Sequence, residues 1–361
     1  MKKLLRLVFL LSITTLLCSW GGNGHYLISY SSSSFMPQDL LSITDWANEL
    51  GDHASDADAR KSWDPTEAPR HYINFEVFPN WSTTRRVVET VDSANMVYGA
   101  SFLETNGYLP YATITTFNAL VDAFSRDDMT DIIYYAADLG HYVGDGHMPL
   151  HLTENYNGQL TDQDGVHSRI ESTMVNTYLS QIQITGGNAR YVTNVNSYIF
   201  NYTYNSFIYV DSLLANDAGA YAISGSYSNV NYYPSLWFRS SRQIKALCQA
   251  ASQSLADLIF TAAVMGGAGV DGVAEPAKAV SLDVYPNPVS GNGTLSISIE
   301  NLQQPAVLEI ISLQGQVVKT QELNHYVSTE HVSVGALNAG AYTVRINSGG
   351  TMVTKRVIVT E

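Results

Sequence analysis

The period of the hydrophobic pattern changes once along this chain, and that change sets what it can fold into. From about Met36 to Met265, apolar residues recur every three to four positions. RVVETVDSANMVYGASFLE, FNALVDAFSRDDMTDIIYYAADLGHYV and SSRQIKALCQAASQSLADLIFTAAV each predict an amphipathic helix. The stretch from Ile184 to Pro234, rich in Asn, Tyr, Ser and Thr, predicts loops with short helices. MGGAGVDGVAEPAKAV then has the composition of a flexible linker. Beyond it the pattern has period two. TLSISIE, AVLEII, QVVKTQEL, HVSV, YTVRI and KRVIVT predict short strands, separated by turn residues such as Gln314-Gly315 and Asn338-Ala339-Gly340. The expected architecture is mainly α: a helical domain over 20–265, a linker over 266–280 and a small β-sandwich over 281–361.

The first nineteen residues read as a secretory signal peptide. Lys2 and Lys3 precede the short apolar run LLRLVFLLSITTLL, and a small Ser19 follows. That run is too short for a confident membrane span. A lipoprotein attachment at Cys18 is the weaker alternative, because Leu17, not a small residue, precedes the cysteine. Cleavage after Ser19 leaves one cysteine, Cys248, and so no intrachain disulfide. Bound metal is a candidate staple instead. A formal net charge of −14 disfavours broad binding to nucleic acid or anionic membrane, though not a local site where metal ions reverse the sign.

Residues able to supply such a site cluster in four places. In HYVGDGHMPLH, His141 and Asp145 are four apart, on one helical face, and Pro149 should end the helix just before His151. His167 and Glu171 repeat the four-residue spacing. Upstream, ASDADARKSWDPTEAPRHYIN offers Asp56, Asp58 and His71. Any one such pair is more simply a surface ion pair or a satisfied core histidine. Five of only nine histidines at ligand-like positions change that balance, and a carboxylate at 145 can bridge two cations. The fourth place is SWGGNGH. Removing the leader would give Trp20 a free α-amine, with a reference pKa of about 7.7–8.0. That nitrogen and the residue's own carbonyl oxygen can chelate a metal, and His25 can join them across the glycine-rich turn. Alternatively Trp20 is only an aromatic plug.

With these motifs assembled, 20–265 resembles the superfamily of zinc-dependent phospholipase C and S1/P1 nuclease. The resemblance implies a mostly helical fold holding three zinc ions. One would take Asp58 or Asp56 with His71, His141 and Asp145; a second, His151, His167 and Glu171; a third, the Trp20 amine and carbonyl, His25 and the bridging Asp145. His147 matches no ligand position and is expected in the pocket or at the surface. The short Trp20-to-His25 interval resembles the nuclease branch, whereas Glu171 and the absence of disulfides resemble the phospholipase branch. The implied reaction is hydrolysis of phosphodiesters, with Asp58 (or Asp56) orienting or deprotonating water and Asp145 bridging metals. Arg60 and Arg70 are expected as surface or supporting charges, with phosphate contact the alternative. Trp63, Tyr142 and Tyr156 are expected in the core or along a substrate groove. The reading is a secreted trinuclear-zinc phosphodiester hydrolase, phospholipase C-like and monomeric, acting on a phospholipid headgroup. The alternatives are a single-strand nuclease or 3′-nucleotidase acting on nucleic acid or nucleotide, and a non-catalytic metal-stabilised binding module.

The tail resembles the type A C-terminal sorting domain of the type IX secretion system. The matching residues are Tyr285-Pro286-Asn287-Pro288, Leu313-Gln314-Gly315-Gln316-Val317-Val318 and Gly340-Ala341-Tyr342-Thr343-Val344-Arg345-Ile346. The resemblance implies a partner in that secretion machinery, export to the cell surface or beyond, and often removal of the tail. A generic carbohydrate-binding or adhesive module is the alternative.

Overall fold

The computed structural model describes residues 20–79, 81–269, 281–300, 306–313, 315–323, 329–348 and 351–360. The leader 1–19 and linker residues 270–280 lie outside the described residues. The chain divides into two units, with the boundary between Gly272 and Val273.

The longer helices of the first unit are α1 (Gly21–Ser32), α2 (Trp46–Asp52), α3 (Asp56–Arg60), α4 (Val91–Tyr98), α5 (Ala100–Asn106), α6 (Leu109–Ser125), α7 (Met129–Gly146), α8 (Val195–Phe207), α9 (Val210–Ser224) and α10 (Tyr232–Met265). Two expected helices are broken. Gly99, at φ 81, divides α4 from α5, where an L side chain would be strained. The run 117–143 is split because Asp127 takes φ 53 and Asp128 caps α7, accepting from the Asp131 amide at 3.2 Å. The polar stretch 184–234 is a larger departure. It carries α8 and α9, of 13 and 15 residues, and not short helices alone. The buried side of α8 is Ile199, Phe200, Tyr202, Thr203, Tyr204 and Ser206, so tyrosines and small hydroxyls do the work of an aliphatic stripe.

Helix α10 runs for 34 residues and by length and hydropathy alone is able to cross a membrane, but 78% of its most apolar window is buried inside the unit. It is therefore a core helix. Its Leu236, Ile244, Leu247, Cys248 and Ala251 join Trp20, Ile28, Met148, Leu150, Ile170 and Met174 in one apolar cluster. That cluster underlies the segments bearing the candidate ligands. Burial pushes the Cys248 thiol up to about 12, which leaves it inert at neutral pH.

The second unit holds strands β1 (Ser281–Tyr285), β2 (Val289–Ser290), β3 (Thr294–Glu300), β4 (Ala306–Ser312), β5 (Val317–Leu323), β6 (Thr329–Ser333), β7 (Gly340–Ser348) and β8 (Thr351–Thr360). They form a three-stranded sheet, β1-β3-β6, and a five-stranded sheet, β2-β8-β7-β4-β5. Period-two alternation sends Leu295, Ile297 and Ile299 of one sheet and Leu308, Ile310, Val344, Ile346, Val357 and Val359 of the other into a common core. Both X-Pro bonds of Tyr285-Pro286-Asn287-Pro288 are cis.

One buried polar network fixes the segment that carries His167 and Glu171. The Arg169 guanidinium donates to both oxygens of Asp217 on α9, at 3.0 and 2.9 Å, and to the carbonyls of Gln163 and Asp164. Tyr232, at the start of α10, also donates to Asp217. Removing one partner of such a pair strands a buried charge, a loss of about 3–5 kcal/mol. Asp217→Ala should therefore lower the midpoint of helical-domain unfolding, followed by circular dichroism at 222 nm, while Asp217→Asn costs less. An unchanged midpoint in Asp217→Ala would show that the network contributes nothing.

Candidate metal centre

The centre is built on the last two turns of α7. Their four-residue spacing puts His141 and Asp145 on one face, and both are fully buried. The chain then turns through Pro149–His151, which returns His151 toward the same point. Asp145 is the hub. Its Oδ2 lies 3.0 Å from Nδ1 of His71 and 3.4 Å from Nε2 of His141; its Oδ1 lies 3.3 Å from Nε2 of His25 and 3.9 Å from Nε2 of His151. Asp58 Oδ1 stands 3.5 Å from the same nitrogens of both His71 and His141. On the far side, Glu171 is 3.2 Å from His151 and 2.6 Å from His167. Glu171 sits in a π-helical turn, Arg169–Met174, a local widening often found at functional sites.

Three groups of potential ligands result: Asp58, His71 and His141; His151, His167 and Glu171; and His25, His141 and Asp145. Within each, the donor atoms lie within 4.8 Å of one another. Two nitrogen or oxygen ligands about 2.0–2.1 Å from one tetrahedral zinc stand about 3.4 Å apart. The observed separations of 3.0–3.5 Å in the first group fit that geometry. The orphaned atoms fit it too. Oδ1 of Asp145 is buried without a hydrogen bond, and Oε2 of Glu171 approaches Nε2 of His167 to 2.6 Å at an angle that makes none. Donors aimed at a shared third atom have this disposition.

Four histidines have their second nitrogen already engaged. Nδ1 of His141 bonds the Ala54 carbonyl at 2.7 Å, Nδ1 of His167 the Tyr156 carbonyl at 3.1 Å, and Nδ1 of His151 the His71 carbonyl, while Nε2 of His71 bonds Glu67 at 3.1 Å. Each such bond fixes the tautomer that turns the other nitrogen inward. Burial alone pushes the Asp145 carboxyl up, but the imidazoles of His151 and His141 hold it well below the usual carboxylate range. In the same way burial opposes ionisation of Glu171, and His167 and His151 bring it down to about 2. The carboxylates are therefore ionised at neutral pH, as metal ligands must be.

Other candidates fall elsewhere. Asp56 points away, half exposed, to His53 at 2.8 Å, so Asp58 is the upstream aspartate that faces the cluster. His147 is not at the surface: it is buried, stacks on Tyr202 at 4.4 Å and bonds the Val143 carbonyl. Burial lowers it to about 4. Arg60 is not at the surface either, being buried against Glu67 and Asp138. Arg70 is partly buried and lines a cavity of about 240 Å3 with Tyr108 and Tyr111. Tyr142 is fully buried, whereas Tyr156 and Trp63 are exposed, Tyr156 with its ring centroid 6.4 Å from that of His167. Trp20 is fully buried at the head of α1, its indole donating to the Gly144 carbonyl at 2.7 Å.

That carbonyl belongs to a residue the ligand pattern does not mark. A Cβ added to Gly144 would meet the His25 ring at 2.8 Å. Glycine there lets α1 approach α7 closely enough for His25 to stack on His141 at 4.0 Å. The GHYVG spacing of Gly140 and Gly144, one turn apart on the same face, was the available signal.

Comparison with known proteins bears mainly on the tail. Residues 283–360 match the family model of the secretion system C-terminal sorting domain, which indicates export by type IX secretion to the cell surface or extracellular space. No curated protein matches the chain. Among solved structures, alpha-toxin of an avian strain of Clostridium perfringens superposes with a TM-score of 0.40 at 12% identity, over 94% of this chain and 95% of that one. A likeness so distant carries no argument.

Two variants test the centre. Asp145→Asn should lower the zinc content of the processed protein by at least one ion per chain, because an amide is a poor bridge between cations. Gly144→Ala should displace His25 and lower zinc content while retaining the far group. Elemental analysis of the folded variants reads both, and undiminished zinc in either would contradict the assigned geometry.

Proposed function

We propose that the first unit is a secreted zinc-dependent hydrolase of phosphate esters, related to the phospholipase C and S1/P1 nuclease superfamily. The observation that carries this reading is the convergence of His25, His71 and His141 on one buried carboxylate, Asp145, with a further ligand group, His151, His167 and Glu171, adjoining it through His151 at 3.9 Å. A structural zinc site needs one closed set of four ligands, whereas adjoining groups that share a carboxylate suit a cluster able to grip a phosphoryl group from several sides. The ligands would be Asp58, His71, His141 and Asp145 for one ion, His151, His167 and Glu171 for a second, and His25, Asp145 and the freed Trp20 terminus for a third. Bound zinc supplies positive charge for the phosphate oxygens and makes water more acidic.

The protein's own residues do the rest. Asp58 is the most exposed carboxylate of the set, its side chain retaining 16% of its exposure, and burial of its carboxyl is outweighed by His141 and Lys61, which hold it ionised. In this reading it accepts a hydrogen bond from an attacking water, which it orients or deprotonates. Lys61, 2.5 Å from Asp58, brings a cation to the same mouth. The exposed rings of Tyr156 and Trp63 offer apolar surface for the substrate's organic portion. The chain's formal charge of −14 favours a phosphocholine-type headgroup, whose cation is attracted, over a polyanionic nucleic acid.

The processed protein should hydrolyse a chromogenic phosphocholine ester, lose that activity to a chelator and regain it with zinc. Asp58→Asn should lower kcat by about 10²–10⁴-fold. Cleavage of denatured DNA without hydrolysis of the phosphocholine ester would instead favour the nuclease reading. Neither activity in a fully zinc-loaded protein would favour the binding module.

A further inference from the structure

Behind His71 lies a buried charged network that the ligand set does not account for. Glu67 is 1% exposed and its two oxygens receive three donors. Oε1 faces Nε2 of His71 at 3.1 Å and accepts from the Tyr142 hydroxyl; Oε2 accepts from Nε of Arg60 at 3.0 Å. Arg60 also donates to Asp138 at 2.7 Å and to Tyr134 at 3.1 Å. One guanidinium thus serves two buried carboxylates, and Arg70, close to Tyr142 and Glu67, brings a second cation to the network. Groups this buried are retained at a cost unless their geometry is used.

We infer that Glu67 is a positioning residue for the metal ligand His71, an inference that rests on the metal reading above. Its carboxylate accepts a hydrogen bond from Nε2–H of His71, which leaves Nδ1 as the lone-pair nitrogen turned toward Asp58, His141 and Asp145. The chain reaches this contact because Glu67 immediately precedes the 3-10 turn Ala68–His71. Arg60, from the end of α3, and Tyr142, from α7, hold the carboxylate from the other sides. Glutamine cannot substitute. In either flip it presents an NH2 group to a donor, on one side Arg60 and on the other His71 and Tyr142.

The test is stepwise zinc competition against a chromogenic chelator, using the processed full chain. Glu67→Gln should weaken one of the bound ions by about 10–100-fold and leave the others near wild type. Asp138→Asn is the control, because it perturbs the same Arg60 without touching His71 and should leave all zinc affinities within about threefold, well short of the loss expected when a ligand's own partner is removed. Should Glu67→Gln fail to fold, Glu67→Asp keeps the charge beside Arg60 but withdraws it from His71, and the same single ion should weaken. Wild-type affinities in the Glu67 variants, or equal losses in Asp138→Asn, would overturn the positioning role while the metal reading stands. A wild-type protein that takes up no zinc would overturn both.

Discussion

A single buried carboxylate organises the helical unit. Asp145 is fully buried within 4 Å of nitrogens from four histidines that arrive from α1, the turn before Tyr72, α7 and the turn after it. An ionised carboxylate in a dry interior is costly unless its charge is answered. Imidazoles alone answer it only by taking protons, which sets them against one another: His141 is driven up by Asp145 and Asp58 despite its burial, whereas burial and the neighbouring His141 push His25 down. Divalent cations would resolve that conflict, since they satisfy carboxylates and neutral imidazoles together. The same requirement explains why the histidines' outer nitrogens are tied to backbone carbonyls and to Glu67.

The surrounding fold serves this convergence. Close approach of α1 to α7 at Gly140 and Gly144 brings His25 in, the Arg169–Asp217 pair anchors the segment of His167 and Glu171, and α10 supplies the apolar floor. Cleavage of the leader would add a ligand that no intact chain possesses, because the Trp20 nitrogen is an amide until then. On the proposed ligand set, export and assembly of the centre would be chemically coupled.

Much of this was legible in the sequence because it is local. Four-residue spacing is sufficient to align His141 with Asp145, and alternation is sufficient to lay down β3 and β7. What the sequence left open depends on long-range contacts. Asp56 and Asp58 both precede His71 at acceptable distance, and only the direction of α3 separates them: one faces His53 in solvent, the other the imidazoles. For Arg60 the sequence allows a surface or a supporting charge, and for His147 a pocket or a surface position; buried carboxylates claim the first and Tyr202 stacks on the second. Helix α8 was obscured because much of its buried face is Tyr202, Thr203, Tyr204 and Ser206, beside Ile199 and Phe200; α9 buries the more ordinary Val210, Leu213, Leu214 and Ala220, spaced among small and polar residues. Glu67 lies four positions before His71 and seven after Arg60, but neither spacing marks a regular helix there, and its contact with Tyr142 crosses the fold.

The most direct test of the central claim is an anomalous-scattering map collected at the zinc edge from crystals of the processed protein. The expected result is three metal peaks: two in contact with Asp145, one of them also with Asp58, His71 and His141 and the other with His25 and the Trp20 terminus, and a third among His151, His167 and Glu171. A map with no anomalous density at Asp145, or with zinc held only at surface carboxylates, would contradict it.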